Sequence, residues 1–357
     1  MQKKIIALAV AGLASTAAFA QTNVTIYGIA DAYVAQVRSN GSLTSTQVGS
    51  GGLSTSRIGF KGVEDLGNGL KALFVLEYRL DVDRNLGIGG TAAGNASGPA
   101  RQQLVGLTGG FGTVAAGRLQ TTAFDWQVKY ITLGATAFDG YNKMTGAYRI
   151  NLTNDSRAEN AVAYISPSMG GVTVALNHAF ALEQAASSTA SNYSATLLGV
   201  YFDKGPFSIG FVGEKLQGGG ASESVEVTDL ALGTSFDAGF AKFTGTYQTT
   251  KNNAPGLSAT AQKFNSVYHL GAQIPVSAKG TVHVQWAQNN NKTSTHVGDD
   301  NGKGLAVAYT HALSKRTTAY AGYGYLDNSG NGSSYSYGTS RPEGSSNIIA
   351  AGVRHSF

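Results

Sequence analysis

Arg57 and Lys61 stand four residues apart in Ser56-Arg57-Ile58-Gly59-Phe60-Lys61-Gly62, where apolar and basic residues alternate. In an extended strand that spacing puts both cations on one face, with Ile58 and Phe60 on the other. Further along, Arg118 ends one alternating run and Arg157 begins the next, so the two bracket the interval 120–156. Asp125 and Asp139 lie inside that interval. Fixed cations on a wall facing carboxylates on a loop set up a transverse field, which selects among ions without binding them tightly. Screening extends about 8 Å at physiological salt, so only charges near the narrowest point weigh much. Arginine suits such a place because it stays charged beside other cations. For Asp125 and Asp139 an N-cap or a turn is the equal alternative.

Other chemistries find little support. Histidines 178, 269, 283, 296, 311 and 355 are scattered and show no metal-ligand spacing. Gly87-Ile88-Gly89-Gly90-Thr91-Ala92 matches a dinucleotide pattern, but Pro99 follows and no helix does. An enzyme would need a nucleophile with an oriented histidine, for which only strand-borne His269 or His283 is on offer. The reading is therefore of a protein without catalysis, cofactor or metal.

The interval 120–156 is the one long stretch that alternates poorly. Phe124, Trp126, Tyr130, Phe138, Tyr141 and Tyr148 make it too aromatic for a solvated linker. It is expected to fold into the mouth of a barrel and narrow it. Residues 1–20 read as a cleaved secretory signal, with a basic head, an apolar run and Ala18-Phe19-Ala20 before Gln21. Its removal takes Lys3 and Lys4 from 26 basic residues against 21 acidic ones, leaving a mildly basic chain with no call on nucleic acid. An exported chain with no cysteine needs size or a membrane to stabilise it. Past the signal no apolar run approaches the length of a membrane helix. With 48 glycines, 17 tyrosines and 6 prolines, the composition suits an all-β transmembrane barrel.

Strand-like runs of about ten residues recur along 21–357. The first is Val24–Val37 and the second Leu53–Glu64. The third, Asn68–Val82, turns Leu70, Ala72, Phe74, Leu76, Tyr78 and Leu80 one way and Lys71, Glu77 and Arg79 the other. In lipid the apolar side looks outward, so Glu77 and Arg79 face the lumen, set apart from the throat. Thirteen more runs follow to 345–357, giving about sixteen strands. Short connections such as Asp65-Leu66-Gly67 and Asp203-Lys204-Gly205 alternate with long ones at 38–52, 83–100, 120–156 and onward. That rhythm is expected of periplasmic turns and outer loops. The chain ends on an outward aromatic, Phe357, suited to an interfacial girdle.

Val24-Thr25-Ile26-Tyr27-Gly28, the run from Ser56 to Ala72, Phe111-Gly112-Thr113-Val114 with Gly117-Arg118, and the closing Val353-Arg354-His355-Ser356-Phe357 resemble the general diffusion porins, nearest the β-proteobacterial and neisserial type. The resemblance implies a homotrimer of antiparallel sixteen-stranded barrels in the Gram-negative outer membrane, each with its third outer loop, here 120–156, folded inward. It implies a basic constriction wall of Arg57, Arg118 and Arg157, to which Lys61 is added by alternation; the acids across from them are the loop's own candidates, Asp125 and Asp139. It further implies ions and small hydrophilic solutes as cargo, outer-membrane lipid and lipopolysaccharide as surroundings, and assembly machinery that reads the last strand through Phe357. A mild anion preference is expected, with a solute-specific channel as the alternative and a barrel enzyme behind it.

Overall fold

The computed structural model describes residues 23–40, 44–84, 86–89, 100–145, 156–180, 192–220, 223–252, 262–293, 300–330, 336–337 and 344–357. The expected signal 1–20 lies outside them. The strands are β1 (Asn23–Ser39), β2 (Ser45–Ser50), β3 (Arg57–Gly67), β4 (Leu70–Arg79), β5 (Ala100–Gly109), β6 (Gly112–Gln120), β7 (Arg157–Ile165), β8 (Val172–Ala179) and β9 (Asn192–Lys204). Beyond them come β10 (Phe207–Gly220), β11 (Glu223–Asp237), β12 (Lys242–Asn252), β13 (Gln262–Pro275), β14 (Gly280–Thr293), β15 (Asp300–Ala312), β16 (Thr317–Gly330) and β17 (Ser345–Ser356). Each pairs antiparallel with its neighbours, and β1 pairs with β17 from Ile29↔Ser356 to Ser39↔Ser346. The sheet closes on itself through that last pairing, which is how a barrel avoids open sheet edges.

The closed wall counts sixteen strands because β2 and β3 share one edge of β1. Ala32–Val37 pairs with β2, and Asn23–Ile29 pairs with β3. The expected second strand Leu53–Glu64 is thereby corrected: residues 51–56 are not extended, and part of the expected loop 38–52 is strand. Asp31 causes the break. Its carboxylate, fully buried, accepts from the backbone N–H of Gly52 (3.1 Å), Leu53 (2.8 Å) and Ser54 (2.8 Å), and from the Tyr320 hydroxyl. Three peptide donors drawn to one carboxylate cannot also serve a strand ladder.

Alternation holds around the wall. Ile26, Val105, Leu107, Phe211, Leu230, Leu270, Leu305 and Ile349 are exposed on the outer side. Phe357 joins them, exchanging backbone bonds with Gly28 at 3.1 Å and laying its ring where a Gly28 side chain would stand. The largest fully buried side chains are Trp126, Tyr130, Phe138 and Tyr141. All four belong to the interval between β6 and β7, so the core forms between that interval and the polar face of the wall.

Candidate functional site

The interval is not structureless. Thr121 caps a helix α1 (Thr122–Tyr130) through its hydroxyl, which accepts from Phe124 N–H. A second helix, α2 (Gly140–Thr145), follows. These helices stand inside an otherwise all-β chain, and Thr121 with Asp125 in the first turn was the legible signal for the first of them.

Residues 122–141 of the interval make contacts along half the inner face of the wall. Thr122 N–H donates to Asn177 on β8 at 2.7 Å, and the Trp126 indole donates to Gly210 C=O on β10 at 3.0 Å. Tyr130 meets the Ser208 hydroxyl at 2.7 Å. Its ring fills the space over Gly210 and Gly233, where any Cβ would come within 2.6 Å of it. Those two glycines are flat ground for an aromatic ring, not turn residues. Thr132 meets Thr244 on β12 at 2.9 Å, and Gln285 on β14 donates to Thr132 C=O at 2.7 Å. Phe138 packs over Gly322 on β16, and Ala137 N–H reaches Gly52 C=O in the break at 2.8 Å. Tyr141 then turns back to Gln248 and stands edge-on to His269.

The opposite half of the wall carries charge. Glu77 on β4 accepts from Arg101 Nε at 2.6 Å and from the Tyr27 hydroxyl at 3.0 Å, with Arg57 Nη1 3.7 Å away. Arg57 is oriented by its own Nε donating to Thr55 C=O at 2.9 Å, so the break at 51–56 aims it. Arg157 lies close enough to feel the charges of Arg101, Glu77 and Arg57. It donates to Gln120 at 2.9 Å and stacks on Phe124, 4.7 Å from the ring centre. Gln120 in turn donates to Asp125. Burial pushes the Asp125 carboxyl up to about 7, against the opposing pull of Gln120 and Arg157.

Several expected site residues are redistributed. Glu77 is not set apart from the cluster but at its centre. Arg79, register partner of Arg57, pairs with Asp81 at 2.8 Å. Lys61 shares the Arg57 face and rests 5.2 Å over the Tyr27 ring. Arg118 is a correction: it pairs in register with Gln103 and shares the parity of exposed Val114, which is the outer side. There it contacts Glu159 and donates to Ala100 C=O. Asp139 is another correction. It accepts from Ala135 N–H (2.6 Å), Asn142 N–H (3.1 Å) and the Asn142 side chain (2.8 Å), and so knots the loop instead of facing the arginines. Burial pushes it up to about 6.

Arg101 was missed by sequence reasoning. Strict alternation with exposed Val105 and Leu107 sends it outward, but the register shifts beside it, where Glu77 pairs with Gln102 and Tyr78 with Ala100. That bulge turns the guanidinium onto Glu77.

Among known proteins, a family model described as Gram-negative porin matches residues 7–331. Outer membrane porin protein 32 of Delftia acidovorans is 36% identical over 338 residues, covering 92% of this chain and 90% of that protein. The fold is similar to that of an anion-selective porin from Comamonas acidovorans, with a TM-score of 0.78 and 28% identity over 94% of this chain and 100% of that one. It is also similar to a trimer form of OmpT of Vibrio cholerae, TM-score 0.71 at 15% identity, covering 94% and 99%.

Proposed function

Because this chain belongs to the Gram-negative porin family and is an outer-membrane diffusion channel rather than an enzyme, we propose that its passage runs between the interval 120–156 and the charged half-wall of β1 and β3–β7. In this reading the interval is the inward-folded constriction loop. Arg57, Arg101 and Arg157 are the fixed cations at the throat, with Lys61 and Arg79 on the same wall and Asp125 the carboxylate across from Arg157. The observation that carries it is the cluster around Glu77: one carboxylate, nearly buried, shared by two guanidiniums with a third beside them.

Three guanidiniums against Glu77 and Asp125 leave the throat net positive, which raises the local concentration of anions over cations. The Comamonas acidovorans relative is described as anion-selective, in keeping with this sign. Ions and small hydrophilic solutes cross by diffusion, and no group in the cluster needs to bind them. The mature molecule is a homotrimer in this reading, as OmpT forms trimers on the same fold.

The test is the reversal potential across a potassium chloride gradient in planar bilayers. Neutralising Arg57→Ser, Arg101→Ser or Arg157→Ser should each move selectivity toward cations. If all three variants keep the wild-type reversal potential, the throat lies elsewhere.

A further inference from the structure

On the outer side of the wall, cross-strand register lines up one row: His178, Thr196, Lys215, Thr228, Lys251, Phe264 and Lys292, each the direct partner of the next. The lysines are exposed and fall on every second strand, roughly 10 Å apart at two strand spacings. Among the described residues none of the three has a carboxylate partner, while Glu226 lies one step further outward on the same face. Below the row runs the apolar belt, and its far edge is the exposed aromatic line Phe207, Phe236 and Phe243. Lys215 is eight residues beyond Phe207 on β10, roughly 26 Å along the strand and, at a tilt of about 40°, roughly 20 Å in height, which brings it near the upper edge of an apolar band of about 25 Å. The row therefore sits at the lipid boundary on the long-loop side, the side that faces outward from the cell.

Directly beneath Lys215 the wall is hollowed. Gly213 leaves a gap between Leu198, Phe211 and Leu230, forming a groove of about 420 Å³ capped by His178 and Lys215. We propose that this groove and the lysine row form a docking site for lipopolysaccharide, with one acyl chain in the groove and the phosphates of its head group on Lys215, Lys251 and His178. An apolar slot topped by a cation fits any phosphorylated lipid. A line of cations spaced two strands apart fits a head group that carries more than one phosphate, and the outer leaflet of this membrane is built from such a lipid. None of these residues belongs to the throat; the inference rests on the outer-membrane placement and not on the proposed constriction.

The test titrates full-length detergent-purified protein with lipopolysaccharide, with dephosphorylated lipopolysaccharide and with phosphatidylglycerol, reading bound lipid by native mass spectrometry. Wild type should bind the first tightest. Lys215→Gln with Lys251→Gln and Lys292→Gln should weaken it by roughly fivefold for each lysine that meets a phosphate. The matching triple change to arginine should keep binding, and Gly213→Leu should weaken acylated but not deacylated lipopolysaccharide. Unchanged single-channel conductance in each variant shows that the barrel has formed. Wild-type binding in the triple glutamine variant, or phosphatidylglycerol binding as tightly as lipopolysaccharide, would overturn the proposal.

Discussion

The two halves of the inner wall solve opposite problems. Along β8–β16 the inner face is largely glycine, small apolar and hydroxyl side chains and amides, with Glu214 and Asp229 buried among them, and it is covered: Gly210 and Gly233 take the Tyr130 ring, Gly322 takes Phe138, and Gln248 and Gln285 hold residues of the interval by hydrogen bonds. Along β3–β7 the face is arginine and glutamate drawn into one tight cluster around Glu77, with Arg157 stacked on Phe124. A seat must be flat and able to hydrogen-bond, because a buried polar group without a partner is costly. A selecting surface must hold like charges together, and here the shared Glu77 carboxylate offsets the repulsion among guanidiniums that are themselves little exposed. One chain meets both needs by dividing them around the circumference.

The sharpest way to break this comparison is to unseat the loop. Trp126→Ala removes a fully buried indole and its bond to Gly210, and changes of that kind cost about 3–5 kcal/mol. Conductance should rise with little change in the sign of selectivity, together with a lower temperature of thermal unfolding. Conductance equal to wild type would mean that the covered half does not set the opening.

Next in size are charge changes on the charged half. Arg101→Ser and Glu77→Gln should shift the reversal potential in opposite directions, toward cations and anions respectively. A unit charge about 6 Å away in water is worth roughly 0.7 kcal/mol, about threefold in local ion concentration. Equal shifts of one sign would refute the role of Glu77 as a counter-charge.

A smaller effect belongs to pH. The Asp125 carboxyl is held up to about 7, above its ordinary value. It is an anion above that pH and neutral below, so anion preference should grow as pH falls from 8 to 6. By linkage, the raised value also means that its contribution to stability is fullest below the ordinary carboxylate range and is lost as pH rises through about 7. Asp125→Asn should flatten the selectivity profile; a variant that titrates like wild type assigns the effect to another group. Smallest of all, Arg118→Gln on the outer face should leave selectivity where it was, and any clear shift would return that residue to the throat.

The strands were legible because one face meets lipid and the other water, so each carries a period of two. Asn68–Val82 and Gln262–Pro275 show this plainly. The channel's charges were legible only where that period is unbroken. Arg57 was found because β3 alternates cleanly. Arg101 was missed because it stands beside a register shift, at the Glu77/Tyr78 step, whereas Arg118 keeps the outward parity of Val114 and was assigned to the throat by resemblance alone. A bulge flips a side chain without altering the residue types around it. The role of Asp139 was hidden for another reason, since a carboxylate that knots a loop and one that faces an arginine carry the same letter.

Asp31 ties together parts of the chain that are synthesised far apart. Its carboxylate gathers peptides 52–54 early in the sequence and a hydroxyl at Tyr320 near the end. The kink that aims Arg57 is therefore braced from both sides, by its own peptides and by a side chain of the penultimate strand. One buried carboxylate thus couples the seam that shuts the cylinder to the kink beside its selecting arginine.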